Sequence, residues 1–76
     1  MEGDLRTFGE NLRRYRLARY LSQEAFADEL GIHRTYMGGI ERGERNLTLQ
    51  TVERIADCID VKSVELLTSR ARRRKP

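Results

Sequence analysis

Ser22-Gln23-Glu24-Ala25-Phe26-Ala27-Asp28-Glu29-Leu30-Gly31-Ile32-His33-Arg34-Thr35-Tyr36-Met37-Gly38-Gly39-Ile40-Glu41-Arg42-Gly43-Glu44-Arg45 is the stretch on which the fold turns. It reads as two short helices, over 23–30 and 34–42, meeting at a sharp turn. Ser22 opens the first, because its hydroxyl can accept from a backbone N–H that the helix leaves unpaired. Phe26, Ala27 and Leu30 recur at helical spacing and share one face. Gly31 follows, where a helix end calls for left-handed backbone angles. Ile32 plugs the turn. The second helix starts near His33 or Arg34, turns Met37 and Ile40 inward, and stops at Gly43.

Two helices that cross steeply over so short a connection need a small side chain where their backbones approach, and Ala27 supplies it. Ala27, Gly31, Met37 and Ile40 in register, with Phe26, Leu30 and Ile32 between them, predict a helix-turn-helix, whose second helix enters the DNA major groove.

Working outward, Met1 to Asp4 read as a loose end with Asp4 a candidate cap. Leu5, Phe8, Leu12 and Tyr15 then predict a helix over 5–19. Arg6, Arg13, Arg14 and Arg19 form its solvated outer face, with one or two near the helix ends in reach of phosphate. Leu21 packs inward beside the Ser22 cap. Gly38-Gly39 inside the third helix is costly, each glycine losing roughly 1 kcal/mol of helix propensity relative to Ala. Either another surface, such as DNA, approaches closely there, or a short helix tolerates the loss. Leu47 anchors a polar loop, and Thr48 caps a fourth helix over 49–59 whose apolar face is Leu49, Val52, Ile55, Ala56 and Ile59. Cys58 lies off that face. Asp60-Val61-Lys62 turn the chain, and Ser63 begins a fifth helix. Val64, Leu66 and Leu67 cannot all enter so small a core. Val61, Val64 and Leu67, with Cys58 at their edge, therefore form the candidate surface for a second copy. The expected fold is all-α, a bundle of five helices over residues 1–69, followed by a basic tail over 70–76.

Composition narrows the partners. Seventy-six residues make one small domain near the lower limit for an independent core, so pairing with a second copy would help stability. No apolar run approaches a membrane span, and no signal-peptide pattern opens the chain. A lone Cys58 cannot form an internal disulfide, which fits a reducing, cytoplasmic setting. The net charge of +3 divides unevenly. Arg70, Arg72, Arg73, Arg74 and Lys75 carry +5, leaving residues 1–69 at −2 with 10 basic and 12 acidic groups. DNA affinity must then come from charge placement and the tail rather than from overall field.

Catalysis is the poorer reading. His33 is the only histidine and has no serine or cysteine partner in a recognisable arrangement. There is no phosphate loop, no CxxC or HxxxH metal spacing, and nothing that calls for a cofactor or small-molecule ligand. DNA contact assembles instead. His33, Arg34, Thr35 and Tyr36 occupy the N-terminal end of helix three, the part of a recognition helix that reaches base edges. Arg34 carries the fork that pairs with guanine, and Thr35 can hydrogen-bond a base or touch a thymine methyl. Gln23 can bring its amide, with the free N–H groups of helix two, to a phosphate. Arg42, Arg45 and Asn46 would grip the backbone beyond the groove, joined by Thr48.

Residues 8–67 resemble the phage-repressor class of helix-turn-helix proteins, the Cro/C1 or XRE type. The run Arg34-Thr35-Tyr36-Met37-Gly38-Gly39-Ile40-Glu41-Arg42-Gly43-Glu44-Arg45-Asn46-Leu47-Thr48 looks, more narrowly, like the controller proteins of restriction-modification systems. That resemblance implies a homodimer on a palindromic operator, regulating its own promoter and the endonuclease gene. It also implies that Arg16 pairs with Glu41, tying helix one to the end of helix three. Three departures stand out. Tyr20 occupies a position where the class often has glycine, so the turn should be strained or differently built. Gly39 removes a side chain that can read bases, narrowing readout toward Arg34, Thr35 and Tyr36. The tail after Arg70 extends past the common core and either solubilises the end or adds phosphate contacts, which its charge favours. A general repressor, an antitoxin-like autoregulator, and an adaptor that keeps the fold for protein contacts are the rival readings.

Overall fold

Helix α1 spans Glu2–Ala18, α2 Gln23–Leu30, α3 Arg34–Glu41, α4 Leu49–Cys58 and α5 Ser63–Leu66. The computed structural model describes residues 2–67, and the basic run 70–76 lies outside them. Among the described residues there is no strand, and no helix is long and apolar enough to cross a membrane.

The periodic apolar residues become the core. Phe8 and Leu12 of α1, Phe26, Ala27 and Leu30 of α2, Met37 and Ile40 of α3, and Val52, Ile55 and Ala56 of α4 are buried, with Ile59 and Leu66 beyond them. Tyr15 stacks on Phe26 with ring centroids 5.8 Å apart. Leu21, Ile32 and Leu47 pack against this cluster from the loops. Asn11 donates to the Leu66 carbonyl at 2.7 Å, which fastens α5 to α1.

Two expectations need correction. Helix α1 starts at Glu2 rather than after Asp4, because nothing in Glu2-Gly3-Asp4 stops helical propagation; Asp4 is a helical residue, not a cap. Leu49 does not join the apolar face of α4 and is 63% exposed. It is the first residue of that helix, and helical side chains lean toward the N-terminus, so Leu49 projects past the end of the core.

Four helices close in the same way. Tyr20, Gly31, Gly43 and Asp60 have φ of 60°, 73°, 73° and 61°. After each, the next residue donates its N–H five residues back: Leu21 to Arg16, Ile32 to Ala27, Glu44 to Gly39 and Val61 to Ala56, at 2.9–3.1 Å. These are Schellman closures, which satisfy carbonyls that the helix end would leave unpaired. Glycine makes the left-handed step without strain at two of them. Tyr20 makes it with a side chain that is 95% exposed, so no packing offsets the strain. An L-residue loses roughly 1–2 kcal/mol in this region, and glycine gives back part of that through unfolded-chain entropy. Tyr20→Gly is therefore expected to stabilise the domain by about 1 kcal/mol in a urea titration, and Asp60→Gly by less, since aspartate enters this region more readily.

Candidate nucleic-acid interface

The turn between α2 and α3 brings two helix N-termini to one surface. Ser22 caps α2, its Oγ accepting from the Ala25 N–H at 3.0 Å. His33 caps α3, its Nδ1 accepting from the Thr35 N–H at 3.0 Å. His33 thus serves its own helix first and keeps its Nε2 edge outward. A groove between the two starts is lined by Ser22, Gln23, Glu24, Arg34, Thr35, Gly38 and Arg42.

Gln23 is half-buried, and its Nε2 donates to Glu41 Oε1 at 3.0 Å. Glu41 in turn receives Arg16, whose Nε donates to Oε2 at 2.7 Å and whose Nη2 donates to Oε1 at 3.0 Å. Arg16 Nη1 donates to the Leu21 carbonyl at 2.8 Å. The hydrogen bonds that Glu41 accepts hold the Arg16 guanidinium above the ordinary arginine range against the opposing cost of burial, with the carboxylate's charge adding to the effect. A buried ion pair therefore sets the position of a side chain on the groove.

Arg34 and Thr35 are exposed at the start of α3. Tyr36 is half-buried, and the Arg45 guanidinium lies over its ring, 5.5 Å from the centroid. Arg42 pairs with Glu44 at 3.1 Å, both well exposed. Asn46 is exposed in the following loop, and Thr48 caps α4, its Oγ1 accepting from the Thr51 N–H at 3.1 Å.

Gly38 and Gly39 make room for this chain's own side chains, which neither of the two expectations anticipated. A Cβ on Gly38 would lie 3.2 Å from Arg42 Nη1 and 3.4 Å from Gln23 Oε1. One on Gly39 would lie 2.9 Å from both Cγ and Nε of Arg45. The glycines let Gln23, Arg42 and Arg45 lie close along α3.

A family profile, the HTH_3 helix-turn-helix, matches residues 12–66. The chain belongs to this helix-turn-helix family. It is 48% identical over 59 residues to control protein C.SmaI of Serratia marcescens, covering 78% of this chain and 70% of that protein. It is 43% identical over 61 residues to control protein C.BamHI of Bacillus amyloliquefaciens, covering 79% and 75%. The crystal structure of the restriction-modification controller protein C.AhdI from Aeromonas hydrophila matches with a TM-score of 0.72 at 44% identity, over 83% of this chain and 96% of that one.

In this helix-turn-helix protein the groove gathers Gln23, Arg34, Thr35 and Arg42, while Tyr36 and Arg45 stack beside one another. Cys58 is exposed on a separate groove with Tyr15, Arg19, Glu29 and Asp60. Val64 is 61% exposed, and Val61 and Leu67 are half-buried; Leu66 takes the core position. Among the described residues no three His, Cys, Asp or Glu side chains gather to hold a metal ion. Sequence reasoning passed over Glu24 as a groove residue and Gly9 as the point where α1 meets α3. For Glu24, its place two residues after the Ser22 cap, in the first turn of α2, was a usable sign.

Proposed function

We propose that this helix-turn-helix protein is a sequence-specific DNA-binding transcriptional regulator of the controller type, acting in the cytoplasm as a homodimer on a palindromic operator. The observation that carries this reading is the groove at the joined N-termini of α2 and α3, where Gln23, Arg34, Thr35 and Arg42 converge. Helix N-termini favour phosphate through their free N–H groups and dipole. Arg34, Thr35 and Tyr36 supply base contacts, with His33 adding its outer ring edge. Gln23, Arg42, Arg45, Asn46 and Thr48 supply backbone contacts, which orient the protein and carry little sequence information. Two copies joined through Val61, Val64, Leu67 and the edge at Cys58 would set their α3 helices about one DNA turn apart. The likeness to C.AhdI supports regulation of a restriction-modification operon. The role is binding rather than catalysis, and the basic tail over 70–76 adds phosphate contacts.

A gel-shift titration against the DNA immediately upstream of this gene, with excess competitor, tests the proposal. A discrete complex that survives competition is the expected result. Arg34→Ala should reduce discrimination against competitor by about 1–3 kcal/mol per half-site, since one bidentate guanine contact is lost. Complexes that vanish with competitor for the native protein would overturn the operator reading and leave only tail electrostatics. Retained discrimination in Arg34→Ala would remove Arg34 from base readout.

A further inference from the structure

Glu24 places a negative charge on the surface where phosphate should arrive. It sits in the first turn of α2, and its Oε1 is 3.5 Å from Nη1 of Arg34. Both side chains are about two-thirds exposed, at 68% and 65%. Pairs this exposed add little to stability, so the fold does not require this one. Glu24 and Arg34 together line two grooves at this surface. They line one with Gln23, Thr35 and Arg42, and the second with Asp28 and His33.

An unpaired guanidinium at this position forks onto any phosphate it meets, which adds affinity without sequence information. A carboxylate beside it repels the phosphate and offers the guanidinium another partner. A guanine edge is different: O6 and N7 are two acceptors on a neutral base. Arginine has five N–H donors, so Nη1 can stay on Glu24 while the remaining edge of the fork meets guanine. We infer that Glu24 is a specificity-determining residue: it holds one edge of Arg34, turns the other toward the bases, and keeps Arg34 from acting as a general phosphate clamp. This inference rests on the DNA-binding reading above.

The test compares the native protein, Glu24→Gln and Glu10→Gln. Glu10 is an exposed carboxylate on α1 that borders neither groove, so its variant carries the same charge change elsewhere. Each is titrated over a range of salt with a duplex enriched by the native protein from a random-sequence pool, and with a scrambled duplex of the same composition. Glu24→Gln should bind the scrambled duplex about five- to tenfold more tightly, with a salt slope steeper by about one per subunit. Its affinity for the enriched duplex should change by less than about twofold, so the specificity ratio falls, while Glu10→Gln keeps the native ratio. Equal gains on both duplexes, or no change on either, would overturn the role of Glu24 and leave the DNA-binding reading intact. Failure of the native protein to enrich any sequence would overturn the DNA-binding reading, and this inference with it.

Discussion

Glu41→Ala is expected to cost about 3–5 kcal/mol of folding stability, a large share of what a domain of this size possesses. The side chains of Arg16 and Glu41 are 9% and 2% exposed. Both Glu41 oxygens are occupied, one by Arg16 Nε and the other by Arg16 Nη2 and Gln23 Nε2. Removing the carboxylate leaves a guanidinium buried without its counter-charge, and it also removes the partner that holds Gln23 in place on the groove. The paired change Arg16→Met with Glu41→Leu should cost much less, since neither charge is then stranded. Urea denaturation with linear extrapolation separates the two outcomes. A double variant as damaged as the single would show that packing rather than charge dominates. The Arg16 contribution does not titrate near neutrality. Its folded-state pKa is raised, so the stability it brings is fully present below the ordinary arginine range and is lost only in strong alkali.

Gly9→Ala should destabilise the domain by about 3 kcal/mol or more, although the same change in an isolated helix would gain roughly 1 kcal/mol. A Cβ at Gly9 would collide with the Ile40 carbonyl oxygen and lie 2.8 Å from that of Glu41. These are backbone atoms at the end of α3, and they cannot swing aside as a side chain can. The helices would have to part, loosening Phe8 and Leu12 from the core and stretching the Arg16–Glu41 pair. Gly39→Ala is the comparison: the atoms nearest its Cβ all belong to the Arg45 side chain, which is exposed and can move. Thermal and urea melts should show a large loss for Gly9→Ala and near-native stability for Gly39→Ala. Equal effects would mean that α1 and α3 are less tightly opposed than the geometry requires.

These expectations differ in how far the sequence announced them. The helix-turn-helix was legible because its signals are local: a Ser22 cap, apolar residues at helical steps, and Gly31 and Gly43 at the closures. Local signals also placed α2 at Gln23–Leu30 and the cap of α4 at Thr48. The gathering of Gln23 with Arg34, Thr35 and Arg42 on one groove followed from the motif's geometry. The companion of Arg16 was nameable only through family resemblance, because no spacing rule joins residues 16 and 41.

The sequence by itself determined the order of the helices and most of the apolar residues they bury, since both depend on neighbours three and four positions apart. Resemblance to the repressor class marked Tyr20 as out of place. Only the tertiary structure decided what meets across helices. It set the carbonyls of α3 against Gly9, laid Arg45 over Gly39 and Tyr36, excluded Leu49 from the core, and placed Glu24 beside Arg34. Each of these depends on how close two segments distant in the chain come to lie, and that distance is set by packing the whole core at once.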